Sequence, residues 1–98
     1  MKLPETTIIR VAPKQVSTTL DDEVVVLGLE TGKYYGLNPV GAFIWEQIHE
    51  PTSVGALRDA IMQEFAVDDP EACLEDLRAL IEHLHQEGLV EVEPGNPR

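Results

Sequence analysis

Residues 23–39 read Glu-Val-Val-Val-Leu-Gly-Leu-Glu-Thr-Gly-Lys-Tyr-Tyr-Gly-Leu-Asn-Pro. The segment 23–29 is rich in β-branched side chains and too short for an independent helix, which predicts a central β-strand. Residues 30–32 form a three-residue loop that ends in glycine, and such a loop favours a hairpin to a second strand over 33–37. The Asn-Pro pair at 38–39 then predicts a helix start, because asparagine is a favoured N-cap and proline is preorganised for the first helical position.

The side chains of the predicted hairpin divide between two faces. With a three-residue loop, Leu27 lies opposite Tyr35, and these two side chains belong to the face that packs on the core. The other face then carries Val26, Tyr34 and Gly36, and it is more apolar than a plain solvent face. An outer face of this kind indicates a surface that contacts something other than water.

The rest of the chain supplies one more strand and three helices. Residues 15–20 alternate between apolar and more polar side chains, which predicts a half-buried strand before the hairpin. Helical spacing of apolar residues, with caps and prolines at the boundaries, predicts helices from 38 to about 49, from 53 to about 66 and from 69 to about 87. Residues 89–92 add a short terminal strand or an extended tail. The predicted fold class is α+β, a three-stranded antiparallel sheet followed by three α-helices.

The main domain is expected to cover residues 15–92. Residues 6–12 are β-branched, but Pro13 and the terminal position leave their anchoring open, so 1–14 is an N-terminal segment that could carry an extra strand. Residues 93–98 are expected to be a frayed tail.

Charge and length exclude several classes of protein. The chain has 98 residues, enough for one compact domain with a modest core, so large enzyme classes do not fit. It has 18 acidic and 7 basic residues, a net charge of -11, and residues 50–98 carry -9 of it. Such a surface repels phosphate backbones, so nucleic acid is a poor partner and a neutral or basic ligand fits better. The first residues lack a secretory signal, which favours a cytoplasmic location and no membrane contact.

Catalytic and metal-binding patterns are missing from the sequence. It contains no Gly-rich phosphate loop, nucleophile elbow, His-Glu-x-x-His helix or Cys-x-x-Cys pair. His83 and His85 are two residues apart and lie on different faces of a helix, and His49 is remote from both in sequence. Cys73 lies at the centre of an apolar helical stripe, which predicts a buried, inert thiol. We therefore expect no enzyme activity, no cofactor and no metal.

Two features point to a binding surface. The strand over 33–37 lies at a sheet edge protected only by Lys33, and such an edge can accept a peptide strand unless residues 6–12 or 89–92 pair with it. On the third helix, Leu74 and Ile81 widen the apolar face to one side, with Arg78 just beyond them. That flank either packs against a neighbouring element or forms the wall of a groove.

The sequence resembles a known family in three segments. Residues 31–46 read Thr-Gly-Lys-Tyr-Tyr-Gly-Leu-Asn-Pro-Val-Gly-Ala-Phe-Ile-Trp-Glu, residues 75–84 read Glu-Asp-Leu-Arg-Ala-Leu-Ile-Glu-His-Leu, and residues 87–91 read Glu-Gly-Leu-Val-Glu. They resemble the PqqD-like family, whose most specific elements are Gly-x-Tyr-Tyr-x-Leu-Asn and Gly-Ala-x-Ile-Trp. Leu77 in place of valine and Leu80-Ile81 in place of Phe-Leu are mild departures. The likeness covers about residues 15–92.

The resemblance implies a winged-helix-like fold and a non-catalytic role. Members of the family recognise the leader of a ribosomally made, modified peptide, which adds as a strand to the third β-strand and lies in the cleft against the third helix. The Tyr-Tyr-Gly-Leu-Asn-Pro-Val-Gly-Ala form, residues 34–42, is most similar to free-standing members that serve lasso-peptide biosynthesis and deliver the precursor to a leader peptidase and a cyclase.

Three other functions compete with that interpretation. A PqqD-type peptide chaperone would serve a radical enzyme in quinone-cofactor biosynthesis, and the partner peptide would discriminate it. A winged-helix DNA-binding protein would need basic residues on its recognition helix, where this chain has only Arg78 among many acids. A small enzyme subunit or peptidase would need a nucleophile or metal constellation that the sequence lacks.

The expected peptide-binding residues come from the third strand and the third helix. Family leaders often carry a Tyr-x-x-Pro motif, which would need an apolar wall. We expect that wall to consist of Val26, Tyr34, Leu74 and Ile81. The backbone pairing is expected from the strand residues Lys33, Tyr34, Tyr35, Gly36 and Leu37, and further contacts from Leu77 and Arg78. The protein is expected to be a monomer, or a weak dimer through 33–37.

Overall fold

The computed structural model describes residues 3–21 and 23–95 and has the predicted α+β class. The described elements, in chain order, are β1 Ile8–Val11, β2 Gln15–Leu20, β3 Glu23–Gly28, β4 Tyr34–Leu37, α1 Pro39–Gln47, β5 Thr52–Ser53, α2 Val54–Glu64, α3 Pro70–Gln86 and β6 Val90–Glu93. The predicted tail begins within β6, and its residues 96–98 lie outside the described part of the chain.

The strands form two sheets where the sequence predicted one. The expected meander is present as the order β2-β3-β4, with antiparallel pairing throughout. A second sheet has the order β5-β1-β6, in which Ile9 pairs with Val92. Arg10 of β1 forms ion pairs with Glu91 and Glu93 of β6 at 2.9 and 2.7 Å. The second sheet went unpredicted because its strands are short and its main pairing joins the two ends of the sequence.

The loop of the hairpin is one residue longer than predicted. The N–H of Gly28 donates to the carbonyl oxygen of Lys33 at 3.0 Å, so residues 29–32 form the loop. Gly32 has φ +68°, a left-handed conformation that favours glycine and that completes a loop of this length. Because side chains alternate along a strand, one additional loop residue shifts the whole register by one position.

That shift exchanges the two faces of β3 relative to the prediction. Leu27 pairs with Tyr34, and Val26 pairs with Tyr35. Val26 is 0% exposed and belongs to the core, whereas Leu27 is half-buried on the outer face. The prediction that Val26 shares an accessible face with Tyr34 is therefore wrong.

The helix starts are confirmed by their caps. Each of the three predicted capping side chains accepts a hydrogen bond from a backbone N–H three residues later. The pairs are Asn38 with Gly41 at 2.8 Å, Ser53 with Ala56 at 3.1 Å and Asp69 with Ala72 at 3.2 Å. Gly88 has φ +76° and lies just after α3, and its left-handed conformation ends the helix.

The core lies between the helices and the two sheets. Its fully buried side chains come from all three helices and from β1 and β3, among them Trp45, Leu57, Ile81, Ile9 and Val26. The N-terminal segment closes one flank of α3, because Leu3 is buried there and its carbonyl oxygen accepts a hydrogen bond from Nε of Arg78 at 2.7 Å. The opposite flank of α3 faces β4.

Candidate functional site

The outer edge of β4 is open. In the sheet order β2-β3-β4, β4 is an edge strand, and no strand among the described residues pairs with its outer side. The alternative that the chain's own terminal strands cover this edge is wrong for β1 and β6, because these two strands pair with each other. Apart from Lys33 just before it, the strand has none of the charges, prolines or bulges that usually protect an edge.

The backbone groups at this edge follow from the register. The Lys33 carbonyl points towards β3, because it accepts a hydrogen bond from Gly28. Backbone direction alternates along a strand, so Tyr35 also pairs inward, while Tyr34 and Gly36 direct their N–H and C=O groups outward. Two donors and two acceptors are thus available to an added strand.

A groove of about 530 Å3 runs beside the edge, between β4 and α3, with α1 and the end of α2 forming its floor. It is lined mainly by apolar side chains, which include Leu37, Val40, Ile44, Phe65, Leu77 and Leu80. Asp76 is the only charged side chain among its described lining residues. An open strand edge beside an apolar groove can hold an extended peptide through its backbone and through alternate side chains.

Cys73 lies in the wall of this groove but has no nucleophilic character. The thiol is buried, as predicted. Burial raises its pKa, and the nearby carboxylate of Asp76 raises the pKa further. The protonated thiol is therefore the stable form, and it acts as a small apolar wall residue.

A hydrogen bond between side chains joins β4 to the C-terminal end of α3, and neither of its two residues lines the groove. The Tyr35 hydroxyl donates to the carboxylate of Glu87. Glu87 is the residue whose backbone caps the C-terminal end of α3. This bond is the main cause of a raised pKa for Tyr35 and of a lowered pKa for Glu87. Tyr35, one of the predicted binding residues, therefore links β4 to α3 through its side chain and does not line the groove itself.

The structure brings only part of the predicted residue set together. Gly36 and Leu37 line the groove with Leu77 of α3. Lys33 and Tyr34 are exposed at the start of the same strand.

The predicted third-helix residues Leu74, Arg78 and Ile81 do not line the groove. Leu74 and Arg78 line a different depression, with Glu5 and Arg58, on the other side of α3. Ile81 is 1% exposed and belongs to the core. The sequence left two roles open for this flank, packing against a neighbouring element or walling a groove, and the N-terminal segment packs against it.

Sequence reasoning missed the groove residues Val40, Phe65, Asp76 and Leu80. Helical spacing separates the two flanks of α3 but does not say which flank faces β4. Phe65 follows Val54, Leu57 and Ile61 at helical spacing, so the sequence alone does not distinguish it from a core residue. The one local signal is Asp76, an acidic residue one turn before Leu80 on the same flank of α3.

Two other kinds of functional feature are missing from the described part of the chain. It contains no cluster of three or more His, Cys, Asp or Glu side chains arranged to hold a metal ion. Within the same residues, no helix combines the length and apolar character needed to cross a membrane.

The chain belongs to the PqqD family. The sequence profile of that family, described as coenzyme PQQ synthesis protein D, matches residues 23–90. No curated protein sequence gives a significant match.

Two solved structures share the fold. One, described as TbiB1 in complex with the TbiA(beta) leader peptide, is 38% identical, with a TM-score of 0.77 over 84% of this chain and 94% of the other. The second is a lasso peptide synthetase B1 complexed with the leader peptide, 22% identical, with a TM-score of 0.74 over 85% of this chain and 96% of the other.

Proposed function

We propose that this protein is a non-catalytic recognition element that captures the leader of a ribosomally made precursor peptide by strand addition to β4. The observation that carries the proposal is the open outer edge of β4 beside an apolar groove. The similarity to TbiB1, a relative whose structure contains a leader peptide, supports it. The peptide segment would pair with Tyr34 and Gly36 and place side chains against Leu37, Leu77 and Leu80.

The available contacts outweigh the cost of binding a flexible peptide by a modest amount. Up to four backbone hydrogen bonds at about 1 kcal/mol each, and two apolar anchors at about 1.5–3 kcal/mol each, favour the complex. The costs of association and of ordering a flexible peptide remove several kcal/mol. The balance is a net gain of at most about 7 kcal/mol, which corresponds to a Kd of roughly 10 μM or weaker.

We further propose that the captured peptide is a lasso-peptide precursor, passed on to a leader peptidase and a cyclase. The support is the likeness of residues 34–42 to free-standing members of that subclass. A quinone-cofactor route with a radical enzyme is the second candidate, favoured by the description of the family itself. The two routes use different precursor peptides, so binding of one precursor and not the other decides between them.

An apolar sheet face supports the delivery step. On the outer face of the β2-β3-β4 sheet and its loop, Val16, Leu20, Leu29 and Tyr34 are each more than half exposed. A strand added to β4 would extend this face. A processing enzyme seated on it could contact the protein and the bound leader together.

The test is a backbone-amide NMR titration with the leader of the short precursor encoded beside this gene, using a scrambled leader as control. We expect saturable shifts at Tyr34, Gly36 and along the groove side of α3, and none with the scramble. Absence of shifts with the true leader would contradict leader capture.

A pair of variants at Gly36 tests strand addition itself. Gly36 pairs with Val25 without exchanging backbone hydrogen bonds, so Gly36→Pro removes an outward N–H but no bond to β3. A Cβ at this position meets no atom within 4 Å, so Gly36→Ala is the matched control. We expect calorimetry to give at least roughly tenfold weaker leader binding for the proline variant than for the alanine variant. Equal affinities would contradict pairing at this edge.

A further inference from the structure

Phe65 separates two spaces on the surface of the protein. Its ring lines the end of the groove, and it also lines a second depression of about 450 Å3 between α1 and the turn from β2 to β3. The second depression includes Val24, Pro39 and Phe43 among its lining residues. Among the described residues, Phe65 alone lines both spaces. Helix α1 forms another part of the boundary, because Val40 and Ile44 line the groove while Phe43 lines the second depression.

The backbone that carries Phe65 is firmly held. Its N–H donates to the carbonyl of Ile61 at 2.9 Å and caps the C-terminal end of α2. Ala66 follows in a left-handed conformation with φ +53°, and Val67 then donates to the carbonyl of Met62 at 3.1 Å. Turn geometry of this kind fixes where the Cα–Cβ bond of Phe65 points.

The ring itself is held less tightly than its backbone. It makes an edge-to-face contact with Phe43, with ring centroids 5.5 Å apart, and it remains 36% exposed. Its size, rather than dense packing around it, therefore sets where the groove ends.

We infer that Phe65 is a specificity-determining residue that limits the size of the peptide side chain accepted at this end of the groove. The inference rests on the proposed function, because the occupant of the groove is the leader. A wall made of one aromatic ring excludes a larger side chain by steric overlap. Truncating the ring removes the one side chain that lines both spaces and creates room for that larger side chain. Pocket shape of this kind discriminates between side chains by about tenfold or more.

The test pairs a smaller wall with a larger peptide side chain. A set of leader peptides, each with tryptophan at one position, is titrated against the wild type, Phe65→Ala and Phe65→Leu. At the leader position that meets the ring, we expect tryptophan to weaken binding to the wild type by about tenfold. Phe65→Ala should bring the affinity for that same peptide to within about threefold of its affinity for the unsubstituted leader. Phe65→Leu should give a smaller rescue at the same position.

The controls distinguish a failure of the inference about Phe65 from a failure of the proposed leader capture. Ile8→Ala removes a half-buried apolar side chain of β1, which contributes no residue to the groove, and it should rescue no position. A general loss of stability lowers all affinities together and cannot produce rescue at one peptide position. If both Phe65 variants rank the peptides as the wild type does, the assignment of Phe65 is overturned. If the wild type does not bind the unsubstituted leader, leader capture itself is wrong.

Discussion

Tyr35 and Glu87 lie 52 residues apart in sequence, and their side chains are hydrogen bonded. Tyr35 belongs to β4, and Glu87 follows the last turn of α3, so the bond joins the two elements that flank the groove. Lys33, at the start of the hairpin's second strand, further favours the ionised form of Glu87. The bond therefore connects the edge strand directly to the end of the helix that faces it.

Replacement of Tyr35 by phenylalanine should weaken leader binding without unfolding the protein. The variant keeps the ring and loses the bond to Glu87, so the walls of the groove become less well positioned. We expect a roughly two- to fivefold rise in Kd by calorimetry and a fall in Tm of a few degrees at most. Tyr34→Phe is the matched control, because Tyr34 is 73% exposed, and its affinity should equal that of the wild type. Equal effects of the two variants would contradict a role for the link.

The same link should make stability depend on pH in the acid range. Folding lowers the pKa of Glu87 below its usual value of about 4.5, mainly through the hydrogen bond from Tyr35. The ionised carboxylate therefore stabilises the fold above that usual value, and the contribution is lost as the pH falls through the lowered pKa of the folded protein.

The measurement is the difference in Tm between the wild type and Tyr35→Phe. It should be constant between about pH 5 and 7 and should shrink below about pH 4. Other carboxylates titrate alike in both proteins and cancel. A difference that stays constant down to about pH 3 would contradict the assigned cause.

Two leucines on opposite flanks of α3 should behave in opposite ways. Leu80 is half-buried in the groove wall, whereas Leu74 is buried on the flank near Glu5. Leu80→Ala should weaken leader binding by roughly three- to tenfold with a small loss of stability. Leu74→Ala should lower the free energy of unfolding by about 2–4 kcal/mol and leave Kd unchanged.

Both leucine variants are compared by calorimetry at a temperature where circular dichroism shows them to be folded. A loss of affinity confined to Leu74→Ala would place the peptide on the other side of the helix.

The left-handed conformation at Ala66 should make a glycine substitution there stabilising. Alanine at φ +53° has a steric cost that glycine avoids. Ala66→Gly should raise the free energy of unfolding by up to about 1 kcal/mol, measured by urea denaturation. Ala79→Gly, within α3, is the control and should lower it by about 1 kcal/mol. Destabilisation by both substitutions would show that the turn after Phe65 is not strained.

Local signals in the sequence were sufficient for the helix starts and the meander. Asn38, Ser53 and Asp69 each cap a helix within three residues of their own position, so no distant contact is needed to recognise them. The hairpin register was harder. A three-residue and a four-residue loop both end at Gly32, and sequence spacing does not separate them. One residue of loop length then decides whether Val26 faces the core or the outer surface.

The groove side of α3 depended on contacts between the two ends of the chain. Leu74 and Ile81 form an apolar flank whose partner is the N-terminal segment, anchored by the bond from Arg78 to Leu3. Local patterns do not predict a secure strand in residues 6–12, so they do not show that this segment packs on that flank. They therefore favour a ligand contact there. The pairing of Ile9 with Val92 is set by tertiary packing and lies beyond the range of local propensity.

The second sheet also determines how this domain can be attached to other molecules. Its pairing of β1 with β6 brings both ends of the described chain to one region, and neither strand contributes a residue to the groove. A reporter protein, an affinity matrix or a catalytic partner joined by a flexible linker at either end would leave the β4 edge accessible. The domain is thus suited to work as a tethered capture module, with the leader held at a high local concentration near whatever is attached.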